Sequence, residues 1–319
     1  MLARVSLRYA RVLGGTMHRV STSARRTGLL VLFLVGSTVL SSTQQSGIPL
    51  ALSERPGGST ILGSVTDGHG GLWVVGSAGS GTLTTTPDAL KRENTSTNGT
   101  SDAFLAHLGA DGAVVYATYF GGSHSDLGLA IARDAAGNLY AAGTTSSADF
   151  PTSANALRTT SADGDRNAFV TKFDPTGTHI VYSTYLGGSG FEEAYGIAVD
   201  AAGVAHVVGR TSGTDFPVTA GQRCLNLWMN AFYTRLAADG SSIAFSGCLD
   251  DSEAYGVALD AIGDAYVVGS AGARFGPRMN ALKVEFPAGA GSQGFLAKFS
   301  GESIPFSTYL GGESSDVAA

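Results

Sequence analysis

Asp250, Asp251 and Glu253 place three carboxylates within four residues, and a second acidic group, Asp163-Gly164-Asp165, lies upstream. Oxygen-rich loops of this kind are candidates for Ca2+, which takes about six to eight oxygen ligands. Neither group follows the spacing of an EF-hand loop, so solvated turn carboxylates are the competing explanation. Ca2+ is the one cofactor these residues suggest. The six histidines, His18, His69, His107, His124, His179 and His206, show no metal-ligand spacing. His206 stands where similar segments carry Tyr140 and Tyr266, which reads as a packed aromatic position. His124 and Asp126 are close enough to share a loop, but no nucleophile in a supporting context accompanies them. There is no G-x-S-x-G elbow, and Ser189 sits in a Gly-rich turn. The Gly-rich string Gly76 to Gly81 precedes a Thr-rich loop, whereas a phosphate site would need a helix N-terminus. The two cysteines, Cys224 and Cys248, permit a disulfide across a separation of 24 residues. Such a bridge stabilises by about 3 kcal/mol in the loop-entropy description. The alternative is two unrelated thiols, one in a loop and one in a strand.

The elements that would carry these groups follow from composition and repetition. Of 319 residues, 45 are Gly and only 14% are charged, which disfavours a helical protein because each interior Gly costs a helix about 1 kcal/mol. Nine Pro without a Gly-X-Y period exclude collagen, and 43% hydrophobic content excludes general disorder. The formal net charge is −6, and residues 1–47 hold six Arg and no carboxylate, so the remainder is more acidic still. That balance excludes nucleic acid as a partner, since phosphate contacts need clustered Lys and Arg.

Residues 1–47 read as an export segment. Arg25-Arg26 precedes an apolar run from Leu29 to Leu40, followed by Ser41-Ser42-Thr43. The run is short for a membrane span of about 20 residues and suits a secretory signal, so no stable span is expected after cleavage. Met1 and Met17 are both possible starts. Residues 48–60 are expected to be a linker, and residues 61–319 a repeat region in a secreted or cell-surface protein.

Internal copies define that region. Asp102–Leu108, Asn167–Phe173, Asn230–Leu236 and Gln293–Phe299 are versions of one strand, and their residues Phe104, Phe169, Phe232 and Phe295 are spaced by 65, 63 and 63 positions. Each is followed by a turn and a second strand: YATYFGG from Tyr116, YSTYLGG from Tyr182, the degenerate FSGCLDD from Phe245 and FSTYLGG from Phe306. A hairpin with an Asp-x-x-Gly turn recurs at Asp67–Gly70, Asp134–Gly137, Asp200–Gly203 and Asp260–Gly263. In it the Asp can bond local backbone and the Gly tolerates φ > 0. Asp250 and Asp251 thus replace a Gly-Gly pair. Linkers in which a Pro stands ahead of Ala-Leu and a basic residue (Pro87–Lys91, Pro151–Arg158, Pro277–Lys283) are expected to form one helical turn whose Leu packs on the sheets. Tyr119, Tyr185 and Tyr309 recur at one position, better explained by packing than by a sugar platform. Four-stranded antiparallel units of about 63 residues in series predict a β-propeller.

The order Y-x-T-Y-[LF]-G-G, D-x-x-G, G-x-[TS]-x-x-x-D-F-P, as in Tyr182–Thr219 and Tyr116–Ser153, resembles the bacterial SBBP-type β-propeller repeat. The resemblance implies a secreted or surface propeller and carries no general catalytic residue set. With the long linkers placed between blades, three complete blades (about 102–143, 167–209 and 230–269) would be flanked by half blades. The halves either leave an incomplete ring or pair to close a four-bladed one. The functional expectation is a non-catalytic exported scaffold or interaction module with a protein or glycan partner. The alternative is a propeller-type hydrolase or lyase acting on an extracellular polysaccharide, which needs blade-specific polar residues gathered at the ring axis.

Overall fold

A computed structural model describes residues 58–319 apart from 98, 162–165, 220, 222, 226–228, 278–280, 313–314 and 319. The export segment and the Asp163-Gly164-Asp165 group lie outside the described residues. What is described is all-β. The first sheet comprises β1 (Thr60–Thr66), β2 (Leu72–Ala78), β3 (Asp102–Leu108) and β4 (Val114–Phe120). The second comprises β5 (Asp126–Arg133), β6 (Leu139–Thr145), β7 (Asn167–Phe173) and β8 (Ile180–Leu186). The third comprises β9 (Glu192–Val199), β10 (Ala205–Thr211), β11 (Asn230–Leu236) and β12 (Ile243–Asp250). The fourth comprises β13 (Ser252–Leu259), β14 (Ala265–Ala271), β15 (Gln293–Ser300) and β16 (Ser303–Leu310). Each is a four-stranded antiparallel meander whose strands are adjacent in chain order.

The pairing corrects the phase expected from the repeats. The long linkers run inside each sheet, between its second and third strands, and the short Gly-Gly connections pass from sheet to sheet. The repeat region therefore holds four whole blades, and its ends are not half blades. The first strands pack β1 on β5, β5 on β9 and β9 on β13, which sets them along a common axis. β13 does not pack back on β1, so the four blades form an open series and not a closed four-bladed ring.

Local chemistry explains the hairpins. In the turn after β9, Asp200 Oδ1 accepts the Ala202 and Val204 amides at 2.8 and 3.0 Å, and Gly203 takes φ +80°. The other three Asp-x-x-Gly turns repeat this geometry, with Gly70, Gly137 and Gly263 all left-handed. A second glycine position lies in the second strand of every sheet. A Cβ on Gly143 would collide with the Leu127 carbonyl oxygen and the Phe169 ring, and Gly76, Gly209 and Gly269 face the same obstruction.

The core is divided among the blade interfaces. Trp73, Leu105 and Phe120 of the first sheet interlock with Leu139, Phe169 and Phe173 of the second. Phe120 meets Phe169 edge-on at 5.9 Å and Phe173 at 5.2 Å. Equivalent clusters join the second sheet to the third and the third to the fourth.

The first two of these linkers form single turns, not helical ones, with Ala89 N–H donating to Thr86 O and Ala156 N–H to Ser153 O, while residues 278–280 of the last lie outside the described residues. Leu90 and Leu282 are exposed, and of the three only Leu157 packs on the core. What docks each linker is backbone. Thr86 N–H donates to Ala117 O and Tyr119 N–H to Lys91 O, so the linker lies along the outer edge of β4 and covers it. Tyr119 clamps the far end, its hydroxyl donating to Gly79 O at 2.9 Å and accepting from Leu83 N–H at 3.2 Å. Tyr185 repeats both bonds at Ser147 and Phe150, and Tyr309 bonds Gly272 O. The linker base caps the Gly-Gly carbonyls, Lys91 and Lys283 through Nζ and Arg158 through its guanidinium.

The third linker is held differently. Counted from its proline, Cys224 occupies the place of Arg158, and Gly247-Cys248 stand where the second sheet has Thr184-Tyr185. Cys224 and Cys248 form a disulfide with a Cα separation of 5.1 Å. The bridge substitutes for the hydroxyl latch that Gly247 and Cys248 cannot make.

Candidate axial site

Each first strand carries a β-bulge at one shared place, so that Leu62, Leu129, Tyr195 and Tyr255 are the extra residues. Bulges re-aim a side chain without ending the pairing. On the third and fourth blades they bring Tyr195 and Tyr255 together, ring centroids 5.5 Å apart and tilted by 55°.

Beside this pair lies a network of charge peculiar to these blades. Glu193 on β9 is cross-strand to Arg210 on β10. Its Oε2 accepts Arg210 Nε at 2.7 Å and Nη2 at 2.6 Å, and its Oε1 accepts Arg166 Nη1 at 2.8 Å. Arg210 Nη1 reaches across the blade boundary to Glu253 Oε1 at 3.2 Å. Tyr195 donates to Glu193, and Tyr255 donates to Glu253 at 2.7 Å. Arg210 also lies 5.7 Å from the Tyr195 ring centroid.

Burial opposes ionisation of Glu193, but hydrogen bonds from Tyr195 and Arg166 and the charges of Arg210 and Arg166 outweigh it. The carboxyl is held below the usual range. Burial likewise opposes the charge of Arg210, and Tyr195, Glu193 and Glu253 overcome it, so the guanidinium holds its proton more firmly than usual. Both phenols are raised, first by burial and then by donating to a carboxylate. The arrangement is a fixed, ionised frame around two aromatic rings.

Of the candidate metal residues, Glu253 belongs to this frame. Asp250 Oδ1 accepts the Leu225 amide at 3.3 Å, and Asp251 Oδ2 accepts the Arg274 amide at 2.9 Å. Asp251 is left-handed, with φ 51°. Its carboxylate completes an exchange. At the other junctions Asp149 and Asp215 cross the loop to accept from Ser123 and Ser189, whereas Arg274 stands at that position here and the carboxylate comes from the opposite side. Among the described residues no three His, Cys, Asp or Glu side chains are gathered so as to hold a metal ion.

Other candidates disperse. His124 is exposed beside Ser123, while Asp126 is fully buried and accepts from Gly122 N–H and Ser147 Oγ, so the two do not pair. His206 is buried with Nδ1 2.7 Å from the Tyr233 hydroxyl, and burial lowers its pKa. Glu193, Arg210, Tyr195 and Tyr255 were not singled out from sequence. A signal existed: Ser77, Thr144 and Ser270 occupy the place of Arg210 in the other blades, and Leu127 that of Glu193.

Fold and repeat geometry define a β-propeller repeat protein. Residues 115–151 match the SBBP β-propeller repeat, so the chain carries this repeat. The matched span runs from β4 through the Asp-x-x-Gly hairpin to the D-F-P segment. No curated protein matches the chain. Among solved structures it is similar to a mannose phosphorylase from Leishmania mexicana determined with a phosphate ion, at 9% identity and a TM-score of 0.24, over 67% of this chain and 81% of that one.

Proposed function

We propose that the chain is an exported, non-catalytic propeller module that binds a protein or glycan partner at the axial surface of its third and fourth blades. The carrying observation is the Tyr195–Tyr255 pair set in the Glu193–Arg210–Glu253 frame. Two aromatic faces beside fixed donors and acceptors suit recognition, because little side-chain freedom is lost on binding. Hydrolysis of a glycosidic bond calls instead for a carboxyl kept protonated near neutral pH. Glu193 is held in the opposite direction. The raised carboxyls, Asp126 at about 6 and Glu192 at about 7, are fully buried under the blade connections. Export is supported by the basic and apolar pattern of residues 25–40.

The test is a glycan array together with surface cross-linking on the source cells, comparing the wild type with Tyr195→Ala/Tyr255→Ala. Saturable capture that the double variant loses supports the reading. Release of reducing ends from a polysaccharide, abolished by Glu193→Gln, would replace it with the hydrolase alternative.

A further inference from the structure

Between the first and second blades, away from the axial frame, lies a cavity of about 340 Å3. That is at the small end of the range for ligand sites, about 300–1,000 Å3. Its walls include Asp67, Trp73, Asp88, His107, Arg133 and Thr176.

The cavity follows from substitutions in the first blade. In the second blade Tyr140 fills the corresponding place, its hydroxyl bonding Asp134 at 3.1 Å and reaching Gly203 O of the next sheet at 3.4 Å. Lys172 extends over that ring at 4.8 Å, as Lys298 does over Tyr266 at 5.0 Å. The first blade has Trp73, which has no hydroxyl, and the shorter His107. The two rings stack at 4.4 Å and 9°, with His107 as the more exposed layer.

Asp67 orients that outer ring. Its Oδ2 lies 2.9 Å from His107 Nε2, and its Oδ1 accepts the His69 and Gly71 amides at 2.7 and 2.9 Å. The His107 bond first, and those amides with it, hold the Asp67 carboxyl at about 2. In the neutral imidazole, an ionised acceptor at Nε2 fixes the proton there and leaves Nδ1 as an acceptor. The Arg133 side chain, half-buried at the wall, makes no hydrogen bond or ion pair within the described residues. Thr176 Oγ1 is set by donation to Asp174 at 2.7 Å.

A flat aromatic wall, an unengaged guanidinium and an imidazole acceptor match a ring that is apolar on one face and hydroxylated at its edge. The carboxylates of Asp67 and Asp88 outnumber Arg133, so an anion gains nothing from the local charge. We propose that this cavity is a subsite for one neutral hexose unit of a glycan, with the sugar's C–H face on the His107–Trp73 stack and its hydroxyls on Arg133 and His107 Nδ1.

The chain has two Trp, so Trp228→Phe leaves Trp73 as a reporter beneath the proposed ligand. The full chain in this background is titrated with the methyl glycosides of glucose, galactose and mannose, and with glucuronate. At least one methyl glycoside is expected to give a saturable fluorescence change in the millimolar range. Arg133→Ala is expected to weaken it about tenfold with an unchanged melting temperature, because the Arg133 guanidinium makes no hydrogen bond or ion pair within the described residues. His107→Gln is expected to weaken it as well. Tyr195→Ala/Tyr255→Ala should leave the titration unaltered, which separates this site from the axial one. No saturable change with any methyl glycoside, or tighter binding of glucuronate than of methyl glucoside, overturns the proposal.

Discussion

Replacing the third blade's disulfide with the latch used by its neighbours tests the account of linker docking. Cys224 and Cys248 close a separation of 24 residues, for which loop entropy gives about 3.4 kcal/mol. In the second blade the same junction is held by Arg158 N–H donating to Thr184 Oγ1 at 3.0 Å, Tyr185 N–H donating to Arg158 O at 3.2 Å, and the two hydroxyl bonds of Tyr185. At about 0.5–1.5 kcal/mol each, these bonds amount to about 2–6 kcal/mol, comparable with the bridge. Cys224→Ser/Cys248→Ser is therefore expected to lose about 3 kcal/mol in urea unfolding against the oxidised wild type. Cys224→Arg/Gly247→Thr/Cys248→Tyr is expected to recover about 2 kcal/mol of it under reducing conditions. Hydrogen exchange at the Thr219 amide, which donates to Ser246 O at 2.9 Å, reports the same edge locally. Exchange there should accelerate in the serine pair and slow again in the triple variant. A serine pair as stable as the oxidised protein, or a triple variant no more stable than the serine pair, would refute the equivalence of bridge and latch.

Three further outcomes are expected. Burial raises Asp126 from 3.8 to about 6, so the folded state binds its proton more tightly than the unfolded chain does, and stability falls as pH rises from about 4 to 6. Asp126→Asn should remove up to about 3 kcal/mol of that slope in a comparison of pH-dependent melts. His206, whose lowered pKa acts in the opposite sense by costing stability as pH falls through about 6.5, is common to both proteins and cancels; identical profiles would count against the buried carboxyl. Arg210→Met strands Glu193 with Arg166 as its remaining charge partner and should cost about 2–4 kcal/mol in chemical denaturation, whereas Glu193→Gln/Arg210→Met should cost less than the single change. At the left-handed Asp251, Asp251→Val should cost about 1–3 kcal/mol and Asp251→Gly less, read by melting temperature; equal losses would argue against backbone strain at that turn.

Strands, hairpin turns and repeat length were legible because their causes are local. Alternation, an Asp that bonds amides two and four residues on, and a Gly that accepts positive φ all act within a few residues, as in Asp200 to Val204. Blade phase was not legible, because both connection types join antiparallel neighbours in the sequence pattern. The choice rests on Gly76 meeting Phe104 across a linker of more than twenty residues, a pairing set by edge-to-edge fit. The candidate site divides the same way. The acidic run at 250–253 was visible as composition, yet tertiary structure separates its members into a loop exchange with Arg274 and an axial frame with Arg210.

What the amino-acid order determines by itself is a β-repeat with a bounded set of polar deviations, since periodicity and turn chemistry depend only on near neighbours. Which deviations act together was decided by blade stacking, which brings Glu253 of the fourth blade within hydrogen-bond reach of Arg210, itself paired with Glu193 inside the β9–β10 hairpin. Charge and hydrogen-bond energies depend on separation in space, and that separation exists only once the blades have packed.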